Sequence, residues 1–536
     1  MVTSSRSLFL LALVAAVTWG CGGERLTTSH VPEADVRTGQ PLGKLAVGGD
    51  ATPALVVARV TQGENPVSGI TLEIARSISG RPANYEASGT TDANGVARVE
   101  VGGSGGYYRA RAMQDGSSLG SWASIPLNGG YETNVDLPVG DKARVTGSYE
   151  RALVAFGEGQ AVHIRSLLTH TIAASLGDPS RNAVELAVRD YGTVQGRDVE
   201  LGDPIDGLCG PEGGRAGAEQ IVSDTRVLGV IGTSCSGAAV AASPVISAAG
   251  LVMISPSNTS PRLTSDLAGN ASSDYHPGYF RLAINDLYQA RAVADFAYNE
   301  LGLRRMVAVD DGDAYTTALV SAFGDAFAAV GGEVPVSARI DKGQTDMSTV
   351  LSEFAEAGPD GIFFPLFDEE GLPFAKQARE FDGLEGVTLI TGAALLDSEF
   401  LATPQSEGVY AAGPEADLGS NVNAVTGKSA DEALAAYDAA YGGFPGTPYW
   451  AHSYDATTLL LSAIESVAIA RDGKLIVDRN ALRRKLHATS GFEALVGTLA
   501  CDEFGDCGAG RINIYHHTDT SVTDPSRLPV VYRFVP

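Results

Sequence analysis

From about residue 146 onward, unbroken apolar runs alternate with amphipathic stretches, which constrains the fold more than anything else in these 536 residues. VLGVIGT, LVMIS, RMVAVDD, GIFFPLF, VTLITG and GVYAAG read as strands that are apolar on both faces. Between them, Val184, Ala187, Val188 and Tyr191 share one helical face, and so do Met347, Val350, Leu351 and Phe354. ALAAYDAAYGG supplies a further helix, and Asp178-Pro179 reads as the N-cap and first residue of the helix that Gly192 ends. Doubly apolar strands belong to parallel sheets with helices on both faces. The roughly 390 residues involved are enough for two such α/β lobes.

The upstream part has a different texture. Residues 22–45 are polar and aperiodic and read as a tether. Over residues 46–145, ALVVARV, GITLEIARSI, GVARVEV and YYRARAM are short alternating runs separated by turn signals such as GENP and DANG. Short strands without helices predict a β-sandwich. SGTTDANGVARVEV resembles bacterial Ig-like and carboxypeptidase-regulatory-like modules, which implies a spacer with no chemistry of its own.

The first 21 residues read as a targeting segment. Arg6 precedes LFLLALVAAV, which is shorter than the about 20 residues a bilayer span needs. The following TWGCGG resembles a bacterial lipoprotein signal cut after Gly20, with the lipid on Cys21; a plain secretory signal is the alternative. Both place the chain in the cell envelope or beyond, where disulfides persist. The remaining Cys209, Cys235, Cys501 and Cys507 allow three pairings, and proximity favours Cys501–Cys507, leaving Cys209–Cys235. Without a CxxC pair or a matching histidine spacing, no metal site and no cofactor are expected. A formal net charge of −26 argues against nucleic acid and against a polybasic membrane patch, so membrane contact rests on the lipid alone.

Two polar clusters end neighbouring strands. TSCSGAA opens a helix after VLGVIGT, and SPSNTSP follows LVMIS. In open α/β sheets ligands bind beyond the carboxyl ends of the strands. A helix N-terminus there, with the Ser236 hydroxyl and free amides, suits a carboxylate or another anion. Thr259 and the backbone near Ser257 add donors and acceptors.

An ordered series of motifs then carries a resemblance. Cys209 with VIGTSCSGAA, AAGLVMISPSNTSPRLT, GYFRLAINDLYQARAVADFA, RMVAVDDGDAYTTAL, TDMSTVLSEFAEAGPDGIFF and WAHSYDATTLLLSAIE resemble the branched-chain amino-acid receptors among the type I periplasmic binding proteins. The resemblance covers residues 146–536. It implies two Rossmann-like lobes joined by three crossings, lobe 1 about 156–283 and 415–500, lobe 2 about 284–414 and 508–536. It also implies a hinge that closes over a small molecule, an ABC permease as partner, and a Cys209–Cys235 disulfide. By the same resemblance Ser236, with Gly237 beside it, meets the ligand carboxylate. Ser257 contributes backbone, and Thr259 holds the amino group and carboxylate. Tyr315 lines the cleft, and Phe367 stands where the family often has a tyrosine. Ala393 and Ala394 occupy the place of an acid that takes the ligand ammonium. Asp310, Asp311, Asp313 and Asp368 are open as replacements. The first binding loop, SLLTHTIAASLG, also departs from the family pattern.

An enzyme is not expected. GTSCS approaches the G-x-S-x-G elbow but ends in Ser236, and a disulfide-bonded Cys235 is no nucleophile. The expected function is that of an extracytoplasmic solute-binding lipoprotein capturing an amino acid or related carboxylate for an ABC permease. The alternative is a sensory or interaction lipoprotein without transport.

Overall fold

The computed structural model describes residues 53–78, 81–102, 106–120, 123–127, 129–508 and 511–535. The targeting segment, the tether and Cys21 lie outside the described residues. The first eight strands of more than two residues are β1 (Ala54–Gln62), β2 (Thr71–Ile78), β3 (Arg81–Thr90), β4 (Val96–Val101), β5 (Gly106–Gln114), β6 (Ala123–Leu127), β7 (Tyr131–Pro138) and β8 (Arg144–Glu150). They form two sheets, β8-β7-β1-β4 and β3-β2-β5-β6. All pairs are antiparallel except β1 with β7. Val56, Val60, Ile74, Tyr108 and Val135 share one apolar core. The DANG turn forms because the Asp92 carboxylate accepts the Asn94 and Val96 amides, while Gly95 takes a φ of 71°.

Next come β9 (Leu153–Phe156), β10 (Val162–Leu168), α1 (Ala174–Tyr191), α2 (Pro211–Ser223), β11 (Val227–Gly232), α3 (Ser236–Ala248), β12 (Val252–Ser255) and β13 (Tyr279–Arg281). Strands β10-β11-β12-β13 pair in parallel, as their doubly buried pattern requires. The second lobe holds α4 (Asp286–Asp295), β14 (Met306–Asp310), α5 (Ala314–Ala329), β15 (Ser337–Arg339), α6 (Ser348–Ala357), β16 (Gly361–Phe363), α7 (Asp368–Glu380), β17 (Thr388–Thr391) and β18 (Tyr410–Pro414). The chain returns to the first lobe with α8 (Ala430–Tyr441), α9 (Tyr449–Val467), β19 (Ile469–Arg471), β20 (Lys474–Asp478) and α10 (Arg479–His487). It ends in the second lobe with β21 (Ile512–His516) and β22 (Val530–Phe534).

Two expectations need correction. The second sheet is mixed: β15-β14-β16-β17-β18 is parallel, but β21 and β22 extend it antiparallel. A strand arriving from the other lobe has no helical crossover to set its direction, so the parallel rule does not bind it. Helix α1 starts at Ala174, and Pro179 lies inside it rather than at its first position. Burial of Leu176 carries the helix one turn further back than the Asp-Pro signal. Gly192 ends it with a φ of 83°, as expected.

Both disulfides form, Cys209–Cys235 and Cys501–Cys507. The second closes a loop whose Asp506 accepts from Arg281, at 2.7 Å from Nη2 and 3.2 Å from Nε. Arg281 is fully buried and also donates to Ser260 O and Thr264 Oγ1. The crossing out of β13 is thus stapled to the crossing that leads to β21.

Candidate functional site

The two polar clusters face the second lobe across a closed cleft. Helix α3 begins at Ser236, where the extended Cys235 is its N-cap, and Ala238 packs closely on Gly214 of α2. The Ser236 hydroxyl accepts the Ser260 amide at 3.3 Å, which leaves its own proton free to donate. Thr259 is set the other way. Its hydroxyl donates to Asp286 Oδ2 at 2.8 Å, so its oxygen is presented as an acceptor. The Ser257 hydroxyl donates to Ser234 O at 2.9 Å inside lobe 1, leaving backbone as its contribution to the cleft.

The carboxylate of Asp313 in lobe 2 packs directly against Gly237, leaving no room for a Cβ there. Asp313 also accepts the Tyr315 amide at 2.8 Å as the N-cap of α5. A lobe-2 carboxylate therefore sits on the helix end that suits an anion. Three further contacts close the cleft: Ser260 Oγ to Ala314 O at 2.9 Å, Ser175 Oγ to Asp368 Oδ2 at 2.8 Å, and Lys342 Nζ to Cys209 O at 3.4 Å. Lys342 Nζ lies 3.7 Å from carboxylate oxygens of both Asp311 and Asp313, and 4.8 Å from the centroid of the Phe367 ring. The Tyr315 and Phe367 rings meet at 5.5 Å. The buried Tyr315 hydroxyl lies near Gln289 and the Ala394 amide without a hydrogen bond of ordinary geometry.

The four open aspartates separate by partner. Asp310 turns outward to Arg339 at 2.6 Å, Asp311 takes the Thr316 hydroxyl and faces Lys342, and Asp313 caps α5. Asp368 stands beside the carboxyl group of Asp397, whereas Asp311 and Asp313 share Lys342. Burial pushes Asp368 up to about 6, and burial and the neighbouring charge push Asp397 up as well. Asp368 Oδ1 and Asp397 Oδ2 receive no N–H or O–H from any other described residue. Two adjacent carboxylates need a shared proton or a cation between them. Ala393, where the family acid was sought, packs instead with Leu176, Ala283 and Tyr449.

The structure thus brings Ser236, Gly237, Thr259, Tyr315 and Phe367 to one cleft. Sequence reasoning missed Ser175, Asp286, Lys342 and Asp397. Asp397 ends the TGAALLD segment already under scrutiny, Ser175 lies in the first binding loop SLLTHTIAASLG and Asp286 in GYFRLAINDLYQARAVADFA, whereas nothing in the local sequence marks Lys342. His452, within α9, is buried and held down to about 4 by desolvation, so it is a neutral packing residue.

Comparison with known proteins agrees with this architecture. A family described as "Periplasmic binding protein" matches residues 170–506. The Leu/Ile/Val-binding protein homolog 3 of Brucella melitensis is 26% identical over 359 residues, covering 66% of this chain and 90% of that protein. Among solved structures, a leucine-binding protein from Thermotoga maritima shares the fold with a TM-score of 0.60 at 24% identity, covering 70% of this chain and 99% of that one. A solute-binding protein from R. palustris in complex with benzoate does so with a TM-score of 0.57 at 21% identity, covering 70% and 97%. The matched region spans both lobes and every residue of the cleft described above, and the chain belongs to the periplasmic binding protein family.

Proposed function

We propose that this chain captures an amino acid or a closely related small carboxylate in the interlobe cleft and delivers it to an ABC permease. One observation carries the ligand class: lobe 1 presents donors at the α3 N-terminus, and lobe 2 supplies the adjacent carboxyl groups of Asp368 and Asp397, each with one oxygen that no donor from the other described residues reaches. Ser236 and Gly237 would hold the ligand carboxylate once Asp313 withdraws. Thr259 and Asp368, with Asp397, would take the ammonium, and Ser257 would add a carbonyl. Tyr315 and Phe367 would pack against the rest. The leucine-binding and benzoate-bound proteins of the same fold support a ligand of this size and polarity.

We further propose the domain plan: a lipoprotein signal over 1–21 with the lipid on Cys21, a tether to 45, an Ig-like β-sandwich, and the two-lobed receptor. The end of β8 at Glu150 favours a boundary slightly beyond residue 146. Family membership supports an extracytoplasmic location.

The deciding experiment is a thermal-shift screen of the chain with aliphatic and polar amino acids, amides, short peptides and aromatic acids. A ligand at 100 times its Kd stabilises by about 2.7 kcal/mol. A hit among amino acids that Asp368→Asn abolishes supports the ammonium assignment. A hit only among amine-free acids, indifferent to Asp368→Asn, overturns that part and keeps the carboxylate. No hit across the panel favours a sensory or interaction protein.

A further inference from the structure

A second cavity, of about 260 Å³, lies away from the cleft, where the N-terminal sheets meet the first lobe. Leu55 and Val57 of β1 form one wall, and Ile476 of β20 with Ala481 of α10 forms the other. The junction is built rather than incidental. Arg151, just past β8, donates to Pro53 O at 3.1 Å and to Glu100 Oε1 at 3.0 Å, and Arg471 pairs with the same Glu100 at 2.5 Å.

Polar groups lining this space have capacity to spare. The Arg151 side chain is fully buried, yet its Nε–H has no acceptor, the Asp478 Oδ2 atom lying 3.9 Å away. Arg484 Nη2 stands 3.1 Å from Glu132 Oε1 without hydrogen-bond geometry, and its Cζ lies over the Tyr149 ring, 4.2 Å from the centroid. An N–H left this way in a buried setting costs stability unless something accepts it. Arg98, Arg151, Arg484 and Lys485 line the cavity against only Glu132 and Asp478, in a chain whose formal net charge is −26. A local excess of cations within an acidic surface concentrates anions. Asp478 spends Oδ1 on the Ala152 and Asn480 amides, and burial raises its carboxyl, which softens its opposition to an anion. At about 260 Å³ the cavity is smaller than the usual ligand pocket and suits a small molecule.

We propose that this junction cavity is a second ligand site, binding a small organic carboxylate with a short apolar chain. The carboxylate would bridge the free N–H groups of Arg151 and Arg484, and the chain would lie between Leu55, Val57 and Ile476. Such a ligand would clamp the N-terminal sheets to the first lobe without touching the cleft.

Isothermal titration of the full chain with hexanoate and benzoate tests this. Saturable binding is expected that Ser236→Ala leaves intact. Arg484→Met, which removes a donor, and Ala481→Trp, which fills the cavity and keeps every charge, should each weaken it about tenfold or more. Circular dichroism melts verify that each variant is folded, and the Trp variant decides if the Met variant is not. No saturable binding to the parent chain overturns the proposal. Binding that Ser236→Ala removes, or that Ala481→Trp leaves unchanged, overturns it too, the former because the acids then occupy the cleft. The proposal does not depend on the cleft ligand, so either can fail alone.

Discussion

Ser236 and Thr259 are both small hydroxyl residues at strand ends, and the structure gives them opposite polarity. Ser236 accepts within lobe 1 and keeps a proton to give; Thr259 gives its proton to Asp286 and keeps an oxygen. Ser236→Ala and Thr259→Ala are each expected to weaken ligand binding by about 1.5–3 kcal/mol, the ordinary worth of a hydrogen bond to a charged group. Calorimetry reads the loss, and an unchanged unfolding midpoint separates it from misfolding. Unchanged affinity in both variants would remove the cleft assignment. Gly237 makes a different prediction. A methyl group there would collide with the Asp313 carboxylate and with nothing in lobe 1. Gly237→Ala is therefore expected to hold the lobes apart, seen as a larger radius of gyration in small-angle scattering, at nearly unchanged thermal stability. A closed radius would show that Asp313 moves aside at no cost.

At the level of elements, the crossings matter most. Arg281 ties β13 to Asp506 in the short disulfide loop, and its charge is buried with its partner. Arg281→Met leaves Asp506, Ser260 O and Thr264 short of donors, so a loss of about 3–5 kcal/mol is expected in urea unfolding. A loss below about 1 kcal/mol would mean that water replaces the guanidinium freely. The Cys209–Cys235 bridge closes a separation of 26 residues directly before α3. Replacing both cysteines with alanine is expected to cost about 3 kcal/mol on the chain-entropy account. It should also reduce affinity, because the bridge fixes the helix end that carries Ser236.

For the whole molecule, buried acids set the response to pH. Asp286 and Asp455 are pushed up to about 7 and Asp368 to about 6, all chiefly by desolvation, against an unfolded value of 3.8. Between those limits the native state holds more protons than the unfolded chain, so this contribution to stability is complete below about pH 4 and is lost as pH rises through 6 to 7. His452, held down to about 4 from 6.5, opposes it: its contribution is present above 6.5 and fades as pH falls toward 4. Three carboxyl groups outweigh one imidazole, so the thermal midpoint is expected to be higher near pH 5 than near pH 8. A midpoint that rises steadily with pH over that range would show that these carboxyl groups are ionised in the folded protein.

What the sequence determined by itself was local or periodic. Doubly apolar strands, the α3 start at TSCSGAA, the DANG turn and Gly192 all carry their signal within one element, because side-chain spacing and backbone preference act over a few residues. The cleft residues Ser236, Gly237, Thr259, Tyr315 and Phe367 were legible because they sit at strand ends within recognisable motifs. Tertiary structure alone decided the rest. Pairing of β21 with β18 joins positions about a hundred residues apart, and no local pattern encodes that direction. Lys342 reaches the Cys209 carbonyl from 133 residues away, and Ser175 reaches Asp368 from 193. Which aspartate keeps an oxygen free depended on what each neighbour had already taken. A hydrogen-bond partner is a property of position in space, and closure of two lobes is what brought those positions together.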